Sequence, residues 1–472
     1  MRQAIHPSVN KPSRLRATVR GTLIVMALGV AAIYFAPPAL LRVGANYAAK
    51  IVCSNVFIAQ RDLNSIIDDD LAAPGHPLFK TVRIVVDREL GLVQAHMLGF
   101  AGQGLAIYRP GTGCATVSDG DVALARQHTF TPAPIAPPAS AVDWPQGARA
   151  QTNPAVQALI AKSELNGPGA RGVAVIHKGK LIAQHYAPGF DQNTPLLGWS
   201  MTKTVTAALI GTQIGAGKLK LEQDGFWPVT SPADGREKIT LADLLAMSSG
   251  LRFNEGYGDV SDVTRMLYLE PDMAGFVHAL PLEHSPAKVW SYSSGTTVLL
   301  SHILQNAVGK DALPYARNQL FLPLGMSSAI IEADARGTLV GSSYMYASAP
   351  DWARFAQFLL QDGVWNGKRL LPAGYVDYMR EAAPASMAAY GKPQYGKGQL
   401  WLRGAEGGTP EGQNPDAAYT LPDDTFWMSG HDGESIAIVP SKQLVVVRLG
   451  LTPKRLAYQP QGMLQAVIKV LE

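Results

Sequence analysis

Apolar and polar positions fall into distinct regimes along the chain. From Gly21 to Leu41 the segment GTLIVMALGVAAIYFAPPALL carries no charge and is apolar on every face. That length crosses a bilayer at about 1.5 Å per helical residue. Between 45 and 125, short apolar runs such as VRIVVD (82–87) and GLAIYR (104–109) stand between glycine turns and predict strands. TPAPIAPPAS (131–140) has prolines at 132, 134, 137 and 138. Proline removes backbone donors and holds the chain extended, so this stretch reads as a spacer.

From about 150 the pattern changes. GVAVIHKGKLIAQHY (172–186) holds two β-rich runs about Lys178-Gly179, and ESIAIVP (434–440) and QLVVVRLG (443–450) flank Ser441-Lys442; both predict hairpins. Thr240 to Asp243 resembles a capping box opening a helix that stops at Gly250, and GMLQAVIKVLE (462–472) has helical spacing. Strands at both ends of this region enclosing helices predict one antiparallel sheet built from its two termini, with a helical subdomain between. The expected organisation is a basic tail over 1–20, a membrane anchor over 21–43, a small membrane-proximal module over 45–125, a Pro-rich linker over 126–148 and a larger domain over 149–472.

Charge sharpens the first of these. The net charge is +4, and residues 1–20 carry Arg2, Lys11, Arg14, Arg16 and Arg20 with no acidic residue. The remainder is therefore close to neutral, and no basic face for nucleic acid is implied. Positive charge before the apolar segment predicts a cytoplasmic N-terminus with the rest outside. A cleaved signal peptide has the same order of regions, but the basic region is long and no clean A-x-A site follows. The two cysteines, Cys53 and Cys114, lie just beyond this segment. An even pair in an exported chain points to a disulfide; the alternative is two unrelated buried thiols. Neither has neighbours spaced as metal ligands.

The chemistry centres on Ser200-Met201-Thr202-Lys203, opening a helical stretch that runs to about Gly217. Serine is a weak nucleophile unless a neighbour accepts its proton, and residues three apart on a helix share a face, so the Lys203 amine can stand beside the Ser200 hydroxyl. A serine at a helix start also meets free backbone N–H groups and the positive dipole end, which favour a developing oxyanion. Taken alone, S-x-x-K is more often a capping serine followed by a solvated lysine. Tyr292-Ser293-Ser294-Gly295 supplies a phenol that a nearby ammonium can acidify into a proton shuttle. Gly430-His431-Asp432-Gly433 precedes the strand 434–440; its glycines let a substrate approach an edge strand, and the following N–H can be a second oxyanion donor.

These three pieces, in this order, resemble the class C β-lactamase-related serine hydrolases, a family of β-lactamases, DD-peptidases, esterases and 6-aminohexanoate-dimer hydrolases. The resemblance covers about 150–470 and includes GWSMTKTVTAALIGTQIGAGKL (198–219), LADLLAMSSGL (241–251), VWSYSSGTTVLLSHIL (289–304) and MSGHDGESIAIVP (428–440). It implies an α/β (α+β) fold of the β-lactamase/DD-peptidase type, an antiparallel sheet flanked by helices. It further implies Ser200 as the acylated nucleophile, Lys203 and Tyr292 as the proton-transfer pair, and the backbone N–H groups of Ser200 and Glu434 as the oxyanion hole. His431 stands where many relatives have the lysine of K-T-G, and with Gly433 and Ser294 it would border the substrate. FNEGYGDVSD (253–262) is similar to the substrate loop of the 6-aminohexanoate-dimer hydrolase branch, which gives Tyr257 a contact to the substrate amide; a plain loop aromatic is the other reading. Many penicillin-recognising members have Y-x-N where Ser294 stands, so the resemblance implies an amide or ester substrate more than a β-lactam. No metal or organic cofactor is implied, and neither is a partner beyond the small-molecule substrate and the membrane.

Overall fold

The computed structural model describes residues 14–72, 77–228, 234–386, 393–410 and 413–472. Most of the basic tail, including Arg2 and Lys11, lies outside the described residues. The apolar segment forms a helix over Arg14–Phe35, and Thr18–Phe35 is long and apolar enough to cross a membrane, with none of it buried in the protein. A break at Pro37 and Pro38 ends it, because proline cannot donate into a helix and restrains the residue before it. A second helix then runs over Ala39–Phe57. The expected span of 21–43 is corrected here: residues 39–43 open a helix that buries Val43, Ala48, Ile51, Val52 and Val56 inside the protein.

That second helix lies on a four-stranded antiparallel sheet of Arg83–Asp87, Leu92–Met97, Ala101–Arg109 and Gly113–Thr116, in sequential order. The predicted strands 82–87 and 104–109 fall within it. Helix and sheet are so close that a Cβ on Gly104 would come within 2.2 Å of the Ala45 backbone. The disulfide joins Cys53 of the helix to Cys114 of the last strand, with Cα atoms 6.0 Å apart.

The larger sheet has five antiparallel strands in the order Phe426–Ser429, Ser435–Val439, Leu444–Gly450, Ala170–His177 and Lys180–Tyr186. Chain ends do meet in one sheet, as the two hairpin signals predict. Its inner strands are covered on both faces, and alternate residues serve different cores. Val173, Val175, Ala437, Val439 and Val446 pack with the helices Pro154–Ile160 and Gln461–Leu471. Ala174, Ile176, Ile436, Ile438, Val445 and Val447 belong to the same core as Ala349–Leu360 and the helix Thr202–Gly215. The capping box at Thr240 and Asp243 is present, but its helix ends at Leu245 rather than Gly250.

The segment 45–125 is packed against the rest of the chain, not tethered to it. Its helix and sheet share the main apolar core with the region beyond residue 149. Lys50 Nζ donates to Glu332 Oε2 at 2.5 Å, while Ser54 Oγ and the Cys114 N–H donate to Glu332 Oε1 at 2.9 and 2.7 Å. Arg109 donates to the backbone carbonyls of Ala333 and Asp334. The Pro-rich stretch is also laid down: the Ala133 carbonyl accepts from Arg317, and the Pro145 and Gly147 carbonyls accept from Arg354.

Candidate active site

Ser200 sits in a 3₁₀ turn, Trp199–Met201, that feeds directly into the helix Thr202–Gly215. Trp199 holds φ +46°, a left-handed conformation unusual for a bulky residue. Burial of its ring beside Tyr344 and His431 keeps it there. The turn leaves Ser200 partly exposed, one helical turn from Lys203.

Lys203 is 1% exposed and donates at 3.0 Å to each of three acceptors: Ser200 Oγ, Ser294 Oγ and the Ser342 carbonyl. Burial pushes its pKa down to about 8, partly opposed by the Glu255 carboxylate. An amine so placed is neutral in a useful fraction near neutral pH, and neutral amine is what can take a serine proton. Tyr292 brings its ring 4.8 Å from the Lys203 nitrogen, in an aromatic group with Trp290, Tyr395 and Trp401.

The expected acidification of Tyr292 is corrected. Its phenol is pushed far above the ordinary value by burial and by the Glu255 charge, with a hydrogen bond to Ser200 working the other way. The phenol therefore keeps its proton.

Glu255, which sequence reading missed, completes the network. Its carboxylate accepts from the Ser294 N–H at 2.8 Å and the Ser294 hydroxyl at 2.5 Å. Its pKa is pushed up by burial and held back by Lys203. A continuous path thus runs from Glu255 through Ser294 and Lys203 to Ser200. Ser294 is fully buried, its hydroxyl engaged between Lys203 and Glu255. Two residues from Glu255, Tyr257 is 37% exposed and stacks on His431 with ring centroids 4.6 Å apart. His431 also meets Trp199 edge-on at 5.6 Å.

The GHDG turn is brought against the nucleophile turn. A Cβ on Gly430 would come within 2.5 Å of the Gly198 carbonyl, so only glycine fits. Gly433 has φ +85° and its carbonyl accepts from Arg448 at 3.0 Å. Glu434 is buried; its backbone N–H lies within reach of its own carboxyl, whose pKa burial pushes well up. The structure places Ser200, Lys203, Tyr292 and Ser294 in mutual contact, with Tyr257 and His431 beside them through Trp199. Of the missed residues, Glu255 had only its place in the loop 253–262 as a signal, and Ser342 contributes a carbonyl that no residue type reveals.

A serine and a lysine one helical turn apart, on the helix beside a five-stranded antiparallel sheet, with a phenol from a second helix start, define the serine-reactive β-lactamase architecture. Residues 156–458 match the Beta-lactamase family, and the chain belongs to it. It is 24% identical to the 6-aminohexanoate-dimer hydrolase of Paenarthrobacter ureafaciens over 306 residues, 59% of this chain and 72% of that protein. It is 25% identical over 258 residues to a protein of Bacillus subtilis (strain 168) provisionally named penicillin-binding protein PbpX. That match spans 48% of this chain and 59% of PbpX, less than two thirds of the relative. A structure from Bacillus anthracis, provisionally named a 6-aminohexanoate-dimer hydrolase, superposes with TM-score 0.54 at 19% identity, covering 75% of this chain and 93% of that one. A penicillin-binding protein homologue from Caulobacter crescentus gives 0.51 at 16%, covering 67% and 96%. At these identities the likeness is one of fold.

Proposed function

We propose that the protein is a membrane-anchored serine hydrolase that cleaves an amide or ester through an acyl-enzyme on Ser200. The observation that carries this reading is the contact of the buried Lys203 amine with Ser200 Oγ at 3.0 Å. Ser200 Oγ bonds to the substrate carbonyl carbon while its proton passes to Lys203 Nζ. The leaving amine or alcohol departs with a proton from the Tyr292 phenol, which Lys203 then restores. Water attacks the ester so formed and gives a proton to the same pair; the acid leaves and the Ser200 hydroxyl is re-formed. The N–H groups of Ser200 and Glu434 would hold the oxyanion, with His431, Gly433 and Tyr257 bordering the substrate. Ser294 acts between Lys203 and Glu255. The relative named a 6-aminohexanoate-dimer hydrolase supports a linear amide or ester as the substrate type.

The apolar helix Thr18–Phe35 and the basic residues before it support a single-pass anchor with the N-terminus cytoplasmic and the hydrolase outside. The Cys53–Cys114 bond supports an oxidising side for the catalytic region. A screen of chromogenic esters and amides, with Ser200→Ala beside the parent, tests the chemistry. Turnover in the parent and none in the variant is expected; equal rates in both would remove Ser200 from the reaction.

A peptidoglycan-directed peptidase or β-lactamase would use the same serine and lysine. Against it stands His431, an imidazole packed against the Tyr257 ring and edge-on to Trp199, in place of a fixed cation for a substrate carboxylate. A long-lived adduct of a β-lactam on Ser200, seen by mass spectrometry, would favour that alternative.

A further inference from the structure

A cavity of about 550 Å³ runs from the candidate active site toward the N-terminal apolar helix. Its inner end is bordered by Trp199, the residue before Ser200, and by the stacked pair Tyr257 and His431. Its outer end is walled by Leu40, Leu41, Val43, Phe79 and Met97. The volume is in the range of small-molecule sites, about 300–1,000 Å³. None of the outer residues has a part in acyl transfer.

The outer end also has a particular place in the chain. Leu40 is five residues past Phe35, the end of the candidate span, so the two lie within about 18 Å whatever path the backbone takes. The apolar wall therefore begins where the membrane helix stops. Charged rim residues Asp259, Asp432 and Lys454 stand elsewhere on the lining, so the cavity has an apolar part and a polar part. Tyr292, the donor to the leaving group, stands with Trp290, Tyr395 and Trp401, and none of these four lines the cavity. Ser200 and Lys203 do not line it either, so the cavity meets the site through Trp199, Tyr257 and His431.

We propose that this cavity is an acyl-chain subsite, and that the substrate is an amphiphile: a fatty-acyl ester or amide supplied from the bilayer surface. The proposal rests on the Ser200 hydrolase reading and adds the substrate class to it. Ser200 Oγ bonds to the acyl carbon, the alcohol or amine leaves with a proton, and water releases the free fatty acid. The hydrocarbon lies along Phe79 and Met97 toward Leu40 and Leu41. A chain-length optimum follows, since each methylene buried raises kcat/KM by up to about fourfold until the cavity is full.

The test uses the full chain in phospholipid nanodiscs with p-nitrophenyl acetate, butyrate, octanoate and decanoate. We expect kcat/KM to rise at least about tenfold from butyrate to decanoate. Leu41→Asp, which puts a charge on the wall, and Met97→Trp, which fills it, should each bring the decanoate-to-butyrate ratio toward one. Greater partition of long esters into lipid would leave that ratio equal in parent and variants, and an equal ratio would overturn the proposal. So would short esters turned over with no gain for long ones; Ser200 would then stand as nucleophile and only the subsite would fall. No turnover of any ester, together with no labelling of Ser200 by a fluorophosphonate, would remove the hydrolase reading and this inference with it.

Discussion

At Lys203 burial and charge oppose each other, and burial prevails. Removing an ammonium from water disfavours it, while the Glu255 carboxylate reached through Ser294 favours it; the amine settles at about 8. The proposed mechanism has the neutral amine take the Ser200 proton, so kcat/KM should rise with pH and level off above about 8. Glu255→Gln removes the charge that holds the ammonium, which lowers the Lys203 pKa and moves that limb to lower pH. A pH–rate profile reads this directly; a role for Glu255 in folding alone would leave the limb in place. Tyr292→Phe keeps the ring against Trp401 but removes the donor, and kcat should fall by about 10²–10⁴-fold, the usual share of general acid–base catalysis. Ser200, Lys203 and Tyr292 were legible in the sequence because two stand one helical turn apart and the third falls in a motif that follows in the order of the resembled family. Glu255 was not, since it lies in an irregular loop where no periodicity fixes which side chain points inward. Nor was the direction of the Tyr292 shift, because burial is a property of the packed site.

Among the elements, hairpins and sheet could be read from β-rich runs on either side of turn residues; that residues 173 to 176 divide between two cores could not, because all four are apolar. The helix Ala39–Phe57 could not. Apolar and small residues suit a membrane segment and a buried core helix alike, and its first turn was assigned to the anchor for that reason. Its partner is far away in sequence, the fully buried Glu332. Removing one member of a buried pair leaves an uncompensated charge, so Glu332→Ala should destabilise the protein by about 3–5 kcal/mol. The double variant Lys50→Met/Glu332→Leu should regain most of that. Denaturant unfolding of both variants is the measurement, and equal losses in the two would show that the charge is not the cause. Gln399 is a second such tie: its amide donates to the Leu244 and Leu245 carbonyls and its carbonyl accepts from Thr297, joining two helices beside the nucleophile.

For the whole molecule, an apolar helix with no burial stands next to a domain whose acidic and basic residues nearly balance. A helix apolar all round that nothing in the protein covers has the pattern of a membrane span. Full-length protein should therefore remain in the membrane fraction after alkaline carbonate washing, whereas a chain starting at residue 37 should be released. Recovery of both in the soluble fraction would contradict the anchor. The shared core of residues 45–125 and the catalytic region was hidden from sequence, because the Pro-rich stretch between them has the composition of a spacer whether or not it is packed. The most direct test of the account is intact and peptide-level mass spectrometry after exposure to a fluorophosphonate. One adduct, mapped to Ser200 and abolished by Ser200→Ala, is expected; an adduct on another residue, or equal labelling of the variant, would contradict it.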